Sequence, residues 1–117
     1  MWGGFESRKF PRVKSDCTLT IQNPSEDTKL DLVTENIGTG GICVILNQAL
    51  PKFSKLRLTL DLTDGSNPIS CDARVVWSVS SRDSMTDKTI HDTGIEFTDL
   101  APRDRDRIER LVKSLSN

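Results

Sequence analysis

The sequence predicts a mainly β protein: a small six-stranded antiparallel, split β-barrel, followed by a C-terminal α-helix and preceded by a flexible N-terminal arm. Three observations carry that expectation. Apolar residues alternate with polar ones in short runs, separated by turn-forming residues at intervals of roughly 8 to 12 residues. The period then changes to a helical one after Leu100. Finally, three of the 7 glycines (Gly38, Gly40, Gly41) stand just ahead of a run of strand formers, where a loop turns or a backbone is approached closely.

Residues 1 to 14 read as the arm, with two glycines and then a cationic cluster enclosing Phe10 and Pro11. The barrel with its helix is expected over 15 to 117, as one domain. Cys17, Leu19 and Ile21 alternate with Thr18 and Thr20, and Asn23-Pro24-Ser25-Glu26-Asp27 closes that strand with turn composition. Leu30 and Leu32 share a face in the next run. Gly41 to Leu46 is apolar on both faces, with Ile42, Val44 and Leu46 against Cys43 and Ile45. The clearest alternation is Lys55 to Leu62, where four leucines face one way and Lys55, Arg57, Thr59 and Asp61 the other. Ile69, Cys71, Ala73, Val75, Trp77 and Val79 continue the pattern, and all are expected inward. Ser80 to Thr89 reads as a polar hairpin connection, and Thr93 to Thr98 as a short strand with Ile95 and Phe97 inward. Ile108, Leu111, Val112 and Leu115 then recur at helical spacing over about 101 to 116, with Pro102 suited to the first turn.

Bulk properties narrow the function classes. With 16 Lys and Arg against 17 Asp and Glu, net charge does not hold the chain to polyanions, so any anion site is local. An acidic balance, 2 Trp, 4 Phe and no Tyr also weigh against a barrel that binds single-stranded nucleic acid. No apolar run is long enough for a transmembrane helix, and the first residues lack the apolar middle of a signal peptide, so the expected location is cytoplasmic. Cys17, Cys43 and Cys71 are widely spaced and fall within strand patterns, which fits reduced core residues. The single His91 has no cysteine or histidine near it, so no metal site is expected. No Ser, His and acid set is suggested by the spacings, and the chain is not expected to be an enzyme.

Two stretches can carry chemistry. In "RKFPR", Arg8 and Arg12 flank Lys9; a planar guanidinium suits phosphates and the acceptor edge of guanine. Asn36-Ile37-Gly38-Thr39-Gly40-Gly41 offers an amide side chain and backbone N–H groups, a floor for an anion or a base edge, although alone such a stretch is more often a tight turn. Trp77 is a third candidate, with core packing preferred to stacking on a base.

Together the first two stretches resemble the PilZ domain, a family of small bacterial β-barrels that bind the second messenger cyclic di-GMP. Its signature is R-x-x-x-R in an N-terminal arm, followed by [D/N]-x-S-x-x-G. Arg8 and Arg12 match the first part; Asn36 and Gly41 match the ends of the second. "GGICVIL", "ARVVW" and "TGIEF" also resemble habitual segments of the family. The resemblance implies a receptor that relays cyclic di-GMP to an effector protein through the arm; from its length the chain is expected to be stand-alone, and it is expected to be a monomer that needs no cofactor. The implied ligand residues are Arg8, Lys9, Arg12, Asn36, Gly38, Gly40 and Gly41, with Trp77 as the added candidate. The family's serine is replaced by Gly38, which leaves a ligand-independent adaptor as the alternative.

Overall fold

Alternation lets a pleated strand bury one face and wet the other, and the long strands form on that pattern. The computed structural model describes residues 13–14, 17–23 and 28–116. In chain order these form β1 (Val13–Lys14), β2 (Thr18–Asn23), β3 (Thr28–Val33), β4 (Asn36–Ile37), β5 (Gly41–Leu46), β6 (Lys55–Asp61), β7 (Ile69–Arg82), β8 (Thr89–Phe97) and α1 (Pro102–Ser116). The strands make one sheet in the order β1-β4-β5-β8-β7-β6-β2-β3, antiparallel throughout and curled into a half-barrel. The six long strands are those the alternation predicts. The two short ones, β1 and β4, are too brief to show a period, and β1 lies at the end of the segment that composition reads as arm.

The inner face is filled by Leu19 and Ile21 of β2, Leu56, Leu58 and Leu60 of β6, Ile69 to Val75 of β7 in alternation, and Ile42, Val44 and Leu46 of β5. Helix α1 completes this core with Ile108, which is fully buried, while Leu111 and Val112 pack partly against it. Leu115, expected on the same face, is half-exposed. The three cysteines are reduced and buried, and burial pushes the Cys71 thiol up to about 11.

Two connections depart from what composition implies. The β7–β8 hairpin is longer than its polar residues suggest, because pairing continues to Arg82↔Thr89 and leaves only Asp83 to Lys88 as the turn. There Asp83 caps it through Met85 N–H (3.0 Å) and the Thr86 hydroxyl (3.1 Å). Before β6, Ser54 N–H donates to the Pro51 carbonyl at 3.1 Å, closing a turn whose third residue, Phe53, has φ 69. For a residue with a Cβ that left-handed conformation costs about 1–2 kcal/mol.

The helix is fastened to the loop after β6 by Arg107, which reaches Asp64 through Nη2 (3.0 Å) and Nε (3.3 Å). This guanidinium, aided by the Ser66 N–H, holds the Asp64 carboxyl below its ordinary range. A depressed folded-state pKa stabilises the fold above the unfolded value of about 3.9, and that contribution is lost as pH falls through the folded value. Thermal midpoints should therefore drop more steeply below about pH 4 for the wild type than for Asp64→Asn; parallel curves would show that the pair contributes nothing. In the core, Leu58→Ala should cost about 2–5 kcal/mol in denaturant unfolding, since the site cannot collapse around the missing atoms.

Candidate functional site

The glycine-rich stretch is a tight connection between β4 and β5. Asn36 pairs with Cys43 and Ile37 with Ile42, and the Gly38 N–H donates to the Gly41 carbonyl at 2.9 Å. None of these glycines needs a left-handed backbone; among the described residues the positive-φ glycine is Gly65. Close approach accounts for Gly41 instead. A Cβ at that position would collide with the Ile95 carbonyl oxygen of the neighbouring strand. The Gly40 carbonyl is taken by Phe97 N–H at 3.0 Å, whereas among the described residues the N–H groups of Thr39 and Gly40 make no backbone hydrogen bond. Those two donors lie in the β4–β5 connection, a backbone chemistry that suits an anion or a base edge.

Directly paired residues of antiparallel strands point to the same face, and the register assembles that face. Lys14 pairs with Asn36, Asn36 with Cys43, Cys43 with Gly94 and Gly94 with Trp77. From Asn36 onward one outer row therefore crosses four strands, β4, β5, β8 and β7. Pairing of β1 with β4 also sets Val13, the residue after Arg12, opposite Ile37.

Trp77 belongs to this row because of a β-bulge. Val75 pairs with Ile95, both fully inside, and the register then shifts so that Trp77 pairs with Gly94 rather than continuing the inward set. One extra residue, Val76, inverts the strand's faces. The inward placement expected for Trp77 and Val79 is thus corrected: Trp77 is half-buried on the outer face, and Val79 is 55% exposed. The indole lies across Gly94, in the space that a Cβ would occupy there. A glycine opposite a tryptophan was the available signal in the sequence, and strand alternation hides it.

Beside the row lie residues that sequence reasoning did not select. The Cys43 thiol donates to Asp92 Oδ1 at 3.4 Å, and the ligand atoms of Glu35, Cys43 and Asp92 lie within 4.8 Å of one another. A metal would need the thiolate, whereas the protonated thiol serves as donor to Asp92, so the three groups form a polar corner of the site. On the other side, Arg74 pairs with Glu96 at 3.3 Å and Arg57 with Asp72 at 2.9 Å. Of the residues expected in the site, Asn36, Gly38, Gly40, Gly41 and Trp77 come together on this part of the sheet. Arg8, Lys9 and Arg12 lie outside the described residues.

Comparisons with known proteins bear on this arrangement. The family model of the PilZ domain matches residues 6–114. Among solved structures, the chain is similar to the Bacillus subtilis inhibitor of motility MotI/DgrA, with 20% identity, a TM-score of 0.72 and coverage of 92% of this chain and 50% of that one. The PilZ domain of YcgR from Escherichia coli with c-di-GMP gives 16% identity, a TM-score of 0.68 and coverage of 94% and 92%. The K. pneumonia MrkH–c-di-GMP complex gives 17% identity, a TM-score of 0.75 and coverage of 93% and 52%. The chain thus spans about half the length of MotI and MrkH. Among curated protein sequences no match was found. Among the described residues, no helix is long and apolar enough to cross a membrane.

The Trp77–Gly94 contact makes a direct prediction. Gly94→Ala should displace the indole, red-shift its emission in a Trp2→Phe background and cost about 1–3 kcal/mol by overpacking. Unchanged emission and stability would mean that the indole does not rest on Gly94.

Proposed function

The chain belongs to the PilZ domain family, and from that premise we propose that it is a receptor for cyclic di-GMP that signals to a partner protein through its N-terminal arm. The observation that carries this reading is the pairing of β1 with β4. Val13, the residue that follows R-x-x-x-R in sequence, pairs with Ile37 in the strand that begins at Asn36, which supports a site shared by the two parts of the signature.

Each residue then has a task its chemistry supports. Arg8 and Arg12 pair with phosphates and guanine edges, Lys9 adds positive charge, and Asn36 offers an amide to a base. The N–H groups of Thr39 and Gly40, which make no backbone hydrogen bond among the described residues, would donate to an oxygen acceptor. Gly41 keeps the floor flat by leaving no side chain over β8. Trp77 supplies an aromatic wall, a contact of about 1–3 kcal/mol per stacked base. Ordering the arm on the ligand would move the N-terminal segment, and that movement is the signal passed on. YcgR and MrkH, each solved with c-di-GMP, support the class of ligand.

A second reading, a PilZ-type adaptor that works without nucleotide, is favoured by Gly38. It stands where the family has serine, is buried, and spends its N–H within the turn. The missing hydroxyl is worth about 0.5–1.5 kcal/mol, roughly 2- to 13-fold in affinity.

Calorimetric titration with cyclic di-GMP, with GMP as control, separates the two readings. Saturable binding that is abolished in Arg12→Ala, weakened in Asn36→Ala and strengthened in Gly38→Ser is the expected result. No heat and no thermal stabilisation near millimolar ligand would leave the adaptor; binding gained only by Gly38→Ser would identify the serine position as its cause.

A further inference from the structure

We propose that Phe53, with Lys52, Lys55 and Arg74 around it, anchors a docking surface for an acidic segment of a partner protein. The inference stands apart from nucleotide binding and holds whether or not cyclic di-GMP is the ligand.

Three features converge at this corner, and two of them oppose local stability. Phe53 occupies the third position of the Pro51–Ser54 turn at φ 69, a place that favours glycine. Its ring recovers little by burial, being 61% exposed. Across the β6–β7 pair, Lys55 lies directly opposite Arg74, and like charges so placed repel. The third feature is charge: Lys52 Nζ is 5.1 Å and Arg74 Cζ 5.9 Å from the ring centroid, while among the described residues neither Lys52 nor Lys55 makes an ion pair. A bulky residue in a strained backbone, with its ring in water, marks a place held for something outside the fold.

The composition selects the occupant. Aromatic and arginine side chains are the residues on which protein interfaces concentrate their energy. Cations already held beside the ring favour carboxylates over another aromatic platform, so a nucleobase is the poorer fit. Arg74 and Arg57 are already paired with Glu96 and Asp72, so the charge left for an occupant is that of Lys52 and Lys55 beside one ring, a patch small for a lipid surface and sufficient for a short acidic segment.

The test uses the labelled full chain, its amide resonances followed during titration with a synthetic peptide alternating Glu and Leu, and with a counterpart carrying Lys for Glu. The expected result is saturable shifts around residues 51–55 and 74 with the acidic peptide alone, fading as salt rises. Phe53→Gly should weaken that binding about tenfold or more while its thermal midpoint stays level or rises, because glycine suits the turn. Absence of saturable shifts, equal binding of the Lys peptide, undiminished binding by Phe53→Gly, or a lowered midpoint in that variant would each overturn the proposal. Two further arms separate other occupants: loss of cyclic di-GMP binding in Phe53→Gly, or capture of the chain by phosphatidylglycerol vesicles through Phe53 without peptide binding, would also refute it.

Discussion

The register shift between Val75 and Trp77 is the constraint on which the arrangement of this molecule turns. Up to Val75, strand β7 lies between β6 and β8 and feeds the core with every second residue. Past the shift the same strand feeds the opposite surface, and Trp77 comes to lie on Gly94. Without the extra residue, continued alternation would drive an indole into a core already filled by Ile95 and Val44, at the usual cost of overpacking. With it, one strand serves two faces.

Two glycines make that surface shallow by the same device at different places. Gly94 gives its side-chain volume to the indole, and Gly41 gives its own to the Ile95 carbonyl. Neither depends on a special backbone angle; both depend on what lies opposite. The rest of the row, Asn36 and Cys43, comes from cross-strand pairing. Short β1 joins the sheet beside β4 through two residue pairs. A short strand of this kind is a weak tether, because it orders few residues. The leucines of β6, with Leu19 and Ile21 of β2 and Ile108 of α1, hold the rest of the scaffold.

Much of the fold was legible in the residues because burial on a sheet imposes period two, and Lys55 to Leu62 displays it without interruption. The six long strands were found on that ground, and the C-terminal helix by the change to helical spacing at Ile108, Leu111 and Val112. The family was legible too, through the resemblance that Arg8, Arg12, Asn36 and Gly41 carry, and the family model matches residues 6–114. Other features were not. Strands β1 and β4 are two residues each, too short to carry a period. A bulge adds one residue without changing composition, so Val75, Trp77 and Val79 look alike in sequence although they face opposite ways. The strain at Phe53 is equally silent, since a phenylalanine after Pro-Lys signals no particular φ.

The chain alone therefore determined where strands and helix form, which residues can meet water and which residue types can hold a nucleotide, because these depend on local period and chemistry. Only the tertiary structure decided which residues share a surface. It placed Asn36, Cys43, Gly94 and Trp77 in one row and Phe53 beside Arg74, because pairing across strands distant in sequence, and the single slip in its register, is a property of the assembled sheet.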